Sequence, residues 1–173
     1  MNGSKDLKTI IYFKGVYDTL DLFTDHLIEA FESMGYGTFV YHTANEEVSK
    51  KMLLRLLGES QEFAAVTFNN LGYNLSFEQP EAAEGEEGKP EEYNIWDYFH
   101  IPYIDILMDH PFHYEKPLCN MPKTAVILCT DRNHVKYVRR FFKNIRQTDF
   151  LPHAGVELGH KHKPLNDRNI DVL

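Results

Sequence analysis

Three apolar runs of strand length, at residues 9–13, 38–41 and 63–68, are separated by two stretches with helical periodicity. No other feature restricts the fold so tightly. In the first interval Leu20, Phe23, Leu27, Phe31 and Met34 recur every three or four residues after Asp18 or Thr19, either of which can cap the helix, and Gly35 and Gly37 stop it. In the second, Asn45 is the expected cap, Val48, Met52 and Leu56 the apolar stripe, and Gly58 the stop. Strand and helix alternating at this short spacing is the signature of βαβ units, whose right-handed crossovers force a parallel sheet. The expected class is α/β, a Rossmann-like doubly wound sheet of about five to six strands.

The alternation breaks over residues 73–92, read as an acidic loop, because residues 78–92 hold seven Glu and one Lys with two Pro and two Gly. Six of the chain's eight net negative charges lie there, so the acidity says little about the folded body. Order is expected again at a short helix over 93–99 and a strand over 103–108 entered through Pro102. A strand over 123–129 follows, then a helix marked by Val135, Val138, Phe141, Phe142 and Ile145, and a last short strand at 150–153. The polar stretch 159–169 leads to an apolar run in the last four residues, Ile170-Asp171-Val172-Leu173. A strand placed there needs more chain to complete it, so residues 1–158 are expected to be one domain and 159–173 the linker into a second.

Composition excludes several classes. With 43% apolar and 13% aromatic residues, the 173-residue chain can bury a single core. A net charge of −8 argues against a nucleic-acid partner, whose affinity comes from neutralised phosphates. The two cysteines, Cys119 and Cys129, form neither a CxxC nor a zinc-finger spacing, which points to a reducing, cytoplasmic compartment. No metal site and no cofactor is expected.

In a doubly wound sheet, ligands bind beyond the carboxyl ends of the strands. The residues that end each run are therefore the candidates: Lys14 and Gly15, His42 and Thr43, Asn69 and Asn70, Asp109, His110 and His113, Asp131 and Arg132, then His153 and Gly155. Asp109-His110-Pro111-Phe112-His113 is the densest group, a carboxylate and two imidazoles on a Pro-stiffened loop. Either kind of group there can take a proton from an attacking hydroxyl, and the plainer reading is a turn cap with surface histidines. Lys14-Gly15 feeds a helix N-terminus, which suits an anion or a sugar hydroxyl, but it is neither GxGxxG nor a P-loop. Asn69 and Asn70 either bond a ligand hydroxyl or close a turn. Lys136, Arg139, Arg140, Lys143 and Arg146 form a basic helix face that suits a peripheral membrane contact or an acidic partner, or is simply solvated.

The runs "IWDYFHIPYIDILMDHPFHY", "AVILCTDRNHVKYVRRFF", "FLPHAGVE" and "RNIDVL" together resemble the N-terminal half of bacterial GT-B glycosyltransferases of the spore-maturation CgeB-like group. The resemblance implies an acceptor-binding domain, with the nucleotide-sugar donor held mainly by a second domain, little activity in this half alone, and no bound metal. It implies Asp109 as catalytic base with His110 or His113 as substitute, and Lys14, Gly15, Asn69, Asn70, Asp131 and His153 on the acceptor side. The acidic loop departs from the family pattern. The alternative is a standalone flavodoxin-like or receiver-like regulatory or docking domain. Asn69-Asn70 stands where a receiver needs a phosphorylatable Asp, and Lys14-Gly15-Val16-Tyr17 stands where a flavodoxin needs a Ser/Thr-rich phosphate loop.

Overall fold

A computed structural model of the chain describes residues 8–58, 62–78 and 92–155. Thr9–Lys14 is strand β1 and Asp18–Ser33 helix α1. Gly37–His42 is β2, Glu46–Leu57 is α2 after a single 3-10 turn, and Phe63–Phe68 is β3. Two short strands, Ser76–Glu78 (β4) and Glu92–Asn94 (β5), precede the four-residue helix α3, Ile95–Tyr98. Then come β6 (Tyr103–Leu107), a 3-10 turn and α4 (Glu115–Cys119), β7 (Ala125–Cys129), α5 (Arg132–Phe141) and β8 (Gln147–Phe150).

The main sheet has six strands in the order β2-β1-β3-β6-β7-β8, and every pairing in it is parallel. The chain is thus Rossmann-like α/β. Only the step from β1 to β2 runs leftward in that order; each later step runs the other way. Among the described residues, right-handed crossovers then put α1 alone on one face and the other helices on the opposite face. The two cores follow this division. On one face Leu53 and Leu57 of α2, Trp96 of α3, Leu118 of α4 and Val138 of α5 pack on Ile11, Phe13, Tyr103 and Ile127. On the other, Leu20, Phe23, Leu27 and Phe31 of α1 pack on Ile10, Tyr12, Val66 and Ile106.

Several local expectations need correction. The buried stripe of α2 is Ser49, Leu53 and Leu57, one residue along from Val48, Met52 and Leu56; Val48 and Met52 are 59% and 58% exposed. Ser49 decides the rotation, since its hydroxyl donates to the His42 carbonyl and accepts the His42 N–H, both at 3.1 Å. Tyr17, not Asp18 or Thr19, occupies the N-cap of α1, and Met34 lies past the helix end, exposed. Asn45 stands at the N-cap of α2 without a side-chain capping bond. Helix α5 ends at Phe141, which is exposed, while Phe142 is buried and Ile145 lies beyond it. The last strand begins at Gln147 rather than at Phe150; as an edge strand it carries polar Gln147 and Asp149, which hide it from a search for apolar runs.

The ends of the expected acidic loop are structured. Ser76–Glu78 pairs antiparallel with Glu92–Asn94, and Phe77 meets Tyr93, Tyr98 and Phe99 at ring separations of 4.9–6.1 Å. The rest of that loop and the expected linker at 159–173 lie outside the described residues. Among the described residues, no helix is long and apolar enough to cross a membrane.

The chain leaves β3 through a left-handed turn, with Asn69 at φ 49° and Asn70 at φ 67°. Asn tolerates this region better than other side chains because its short amide bonds locally. Gly72, at φ 77°, is obligatory for a second reason: a Cβ there would lie 2.3 Å from the Phe13 ring. Trp96 closes the arrangement by donating its indole N–H to the Gly72 carbonyl at 2.7 Å.

Candidate functional site

The carboxyl ends of β3, β6 and β7 converge on one polar cluster. Asn69 is its hinge. Its backbone N–H donates to the Ile106 carbonyl, its side-chain oxygen accepts the Met108 N–H at 2.9 Å, and its amide N–H₂ donates to Asp109 Oδ2 at 3.0 Å. The Tyr114 hydroxyl donates to the same Oδ2 at 2.9 Å. Two neutral donors thus fix the Asp109 carboxylate through one oxygen, and Oδ1 has no protein partner among the described residues. Burial, followed by this hydrogen bond to Asp109, pushes the Tyr114 phenol well above its ordinary value, so it remains a donor at physiological pH.

His110 stands beside Asp109 and caps the following 3-10 turn, its Nδ1 accepting the Phe112 N–H at 3.1 Å. A neutral His110 therefore carries its proton on Nε2. Its ring meets His134 at 4.6 Å and Tyr137 at 5.1 Å. Burial and the neighbouring His110 hold the His134 imidazole below its ordinary value, with Asp131 pulling the other way. Asp131 caps α5 through the Asn133 N–H, and this bond lowers its carboxyl. Asp131, His134 and His110 thus form a second group adjoining the first. Among the described residues no three His, Cys, Asp or Glu side chains converge as a metal's ligand set would.

Beneath Asn70 lies Asp105, fully buried in the middle of β6. Its Oδ1 accepts the Asn70 N–H at 2.9 Å, while Oδ2 and both polar atoms of the Asn70 side chain lack partners among the described residues. Burial pushes the Asp105 carboxyl up to about 7, against the smaller opposing pull of the Asn70 N–H. The Tyr103 and Thr67 hydroxyls donate to the Leu71 carbonyl at 2.8 and 3.0 Å. Side chains of β3 and β6 therefore hold the strained turn from below, which keeps Asn69 aimed at Asp109.

The remaining expected residues lie apart. Lys14 is paired with Asp25, its Nζ 2.8 and 2.9 Å from the two carboxylate oxygens. The Gly15 N–H donates to both oxygens of Asp21 at 3.0 and 3.1 Å, and Thr43 donates to the Lys14 carbonyl. Acidic side chains of α1 already occupy the donors of this turn, so a phosphate would meet like charge there. His113 is exposed, with its ring 5.9 Å from that of Phe112. His153 lies on the rim of a groove of about 500 Å³ on the α1 face, with walls that include Phe23, Leu27, Phe68, Ile106, Met108 and Leu151.

Sequence reasoning missed Tyr114, His134 and Asp105. A carboxylate inside the apolar run "YIDILM" was a visible signal for Asp105, since such a group is seldom buried without purpose. Nothing local marked Tyr114 or His134: Tyr114 reaches Asp109 from the 3-10 turn before α4, and His134 reaches His110 from α5. No model of a known protein family and no curated protein matches the chain.

Proposed function

We propose that this domain binds the acceptor in a glycosyl transfer from a nucleotide-sugar donor, with Asp109 as the general base. The observation that carries the reading is the Asp109 carboxylate: held by Asn69 and Tyr114 through Oδ2, it offers Oδ1 at the sheet edge where doubly wound folds take their ligands. In the step, the acceptor oxygen forms a bond to the anomeric carbon as the bond from that carbon to the donor phosphate breaks. The nucleoside diphosphate leaves with the bonding electrons, and the acceptor proton passes to Oδ1. Exposed Tyr17 and Phe112, on the loops after β1 and β6, offer flat apolar faces against which a sugar ring packs. The resemblance to CgeB-like GT-B enzymes supports the same assignment, and in that reading the donor is held mainly by a partner domain.

The test is transfer of labelled sugar from a panel of nucleotide-sugar donors by the native gene product. Asp109→Asn is expected to lower turnover by about a hundredfold, the usual scale for loss of a general base. Near-normal turnover in that variant removes Asp109 from the role, and no transfer from any donor removes the transferase reading.

One observation favours a second reading, a flavodoxin-like binding domain: the first five strands of the sheet order match that fold's arrangement, with the switch point between β1 and β3. Against it, the switch-point turn has spent its Lys14 and Gly15 donors on Asp25 and Asp21. Quenching of flavin mononucleotide fluorescence on titration with the protein would favour that reading; its absence leaves the transferase.

A further inference from the structure

A parallel sheet is ordinarily covered on both faces, because its strands are apolar on both. Among the described residues α1 alone covers its face of a six-stranded sheet, and the groove lies beside it against the carboxyl ends of β3, β6, β7 and β8. Its volume of about 500 Å³ falls among small-molecule sites, which run from about 300 to 1,000 Å³. Among the described residues no Asp, Glu, Lys or Arg lines it. The polar groups on its wall are the Thr130 hydroxyl and the imidazoles of His26 and His153. An ionised ligand would lose its hydration there without gaining a permanent counter-charge, so the lining selects an uncharged one.

The groove adjoins the strand ends that carry the polar cluster. Met108 forms part of its wall and also donates its N–H to Asn69; Phe68 forms another part and directly precedes Asn69. Thr130, also on the wall, donates to the Leu107 carbonyl at 3.3 Å. We infer that the groove takes the apolar body of an uncharged amphiphilic alcohol, an alkyl chain or alkyl-substituted aryl ring, and presents its hydroxyl toward Asp109. This names the acceptor class and rests on the transferase reading for its chemistry. The binding itself does not depend on that reading.

The probe is a series of para-alkylphenols from ethyl to octyl, titrated into the chain and followed by NMR of isotope-labelled Ile, Leu and Met methyl groups. Saturable shifts are expected at Leu27, Ile106 and Met108, with Kd falling about fourfold for each added methylene until the groove is full. Leu151→Lys and Ala154→Trp, both at exposed positions, are expected to weaken binding by about tenfold or more, the first by charging the wall and the second by filling it. Absence of saturable shifts, or affinity independent of chain length, overturns the inference. Should either variant fail to fold, the chain-length series on the unaltered protein still decides. Binding without sugar transfer to the phenols would retain the groove and remove the transferase reading. Transfer to other acceptors without groove binding would do the reverse.

Discussion

Asp105 gives the sharpest quantitative test of this architecture. The carboxyl titrates near 3.8 in an unfolded chain and is pushed up to about 7 by burial in the fold. Between those values the native state holds a proton that the unfolded state has released, so stability falls as pH rises, by about 1.4 kcal/mol per unit. The loss accumulates to about 4 kcal/mol by pH 7 and then levels off, because both states are ionised above it. Asp105→Asn keeps an oxygen that can accept the Asn70 N–H and removes the titration. Its stability relative to the unaltered protein should therefore climb across the same window and stay constant above it. Urea unfolding followed by circular dichroism, in steps from about pH 4 to about pH 9, reads both curves. The difference between them cancels every contribution common to both proteins. Tyr103, Tyr114 and Cys129, which feel the Asp105 charge, are all pushed upward and stay neutral throughout. Parallel curves for the two proteins would refute the reasoning, because they would mean that Asp105 does not keep its proton in the folded state.

Five further outcomes are expected. Gly72→Ala should cost about 3 kcal/mol in chemical denaturation, since the new Cβ meets the Phe13 ring at 2.3 Å and the backbone stays at positive φ. Asn69→Gly should keep the left-handed turn and much of the stability, yet lower any Asp109-dependent turnover by about tenfold or more, because the donor to Oδ2 is gone. A thiol reagent should titrate Cys119 quickly and Cys129 only after denaturation, because Cys129 is buried and its thiol is pushed up to about 12. Charge-neutralising Lys136 and Arg140 should leave thermal stability unchanged and abolish any sedimentation with anionic vesicles. Arg139→Ala should also destabilise, by about 1 kcal/mol, since its guanidinium donates to the Thr148 carbonyl of the edge strand.

The class and strand count were legible because parallel strands and crossover helices write opposite periodicities into the chain, and residues 9–68 carry both. What escaped was set by contacts between distant residues. The rotation of α2 could not be read from leucine doublets at 53–54 and 56–57, which offer two apolar stripes about one residue apart; the Ser49 bonds to His42 choose between them. Strand β8 escaped because an edge strand exposes alternate residues. The same division runs through the site. Asn69 and Asp109 were readable as strand-end residues, forty positions apart, and the parallel pairing of β3 with β6 is what makes them neighbours. Tyr114 was not readable, since its hydroxyl finds Asp109 only after the Pro111–Tyr114 turn folds back over the strand end. The groove follows from topology more than from any motif. A single leftward step in the strand order leaves, among the described residues, one helix to cover its face, so any other element covering β6, β7 and β8 there must compete with a ligand for the same apolar wall.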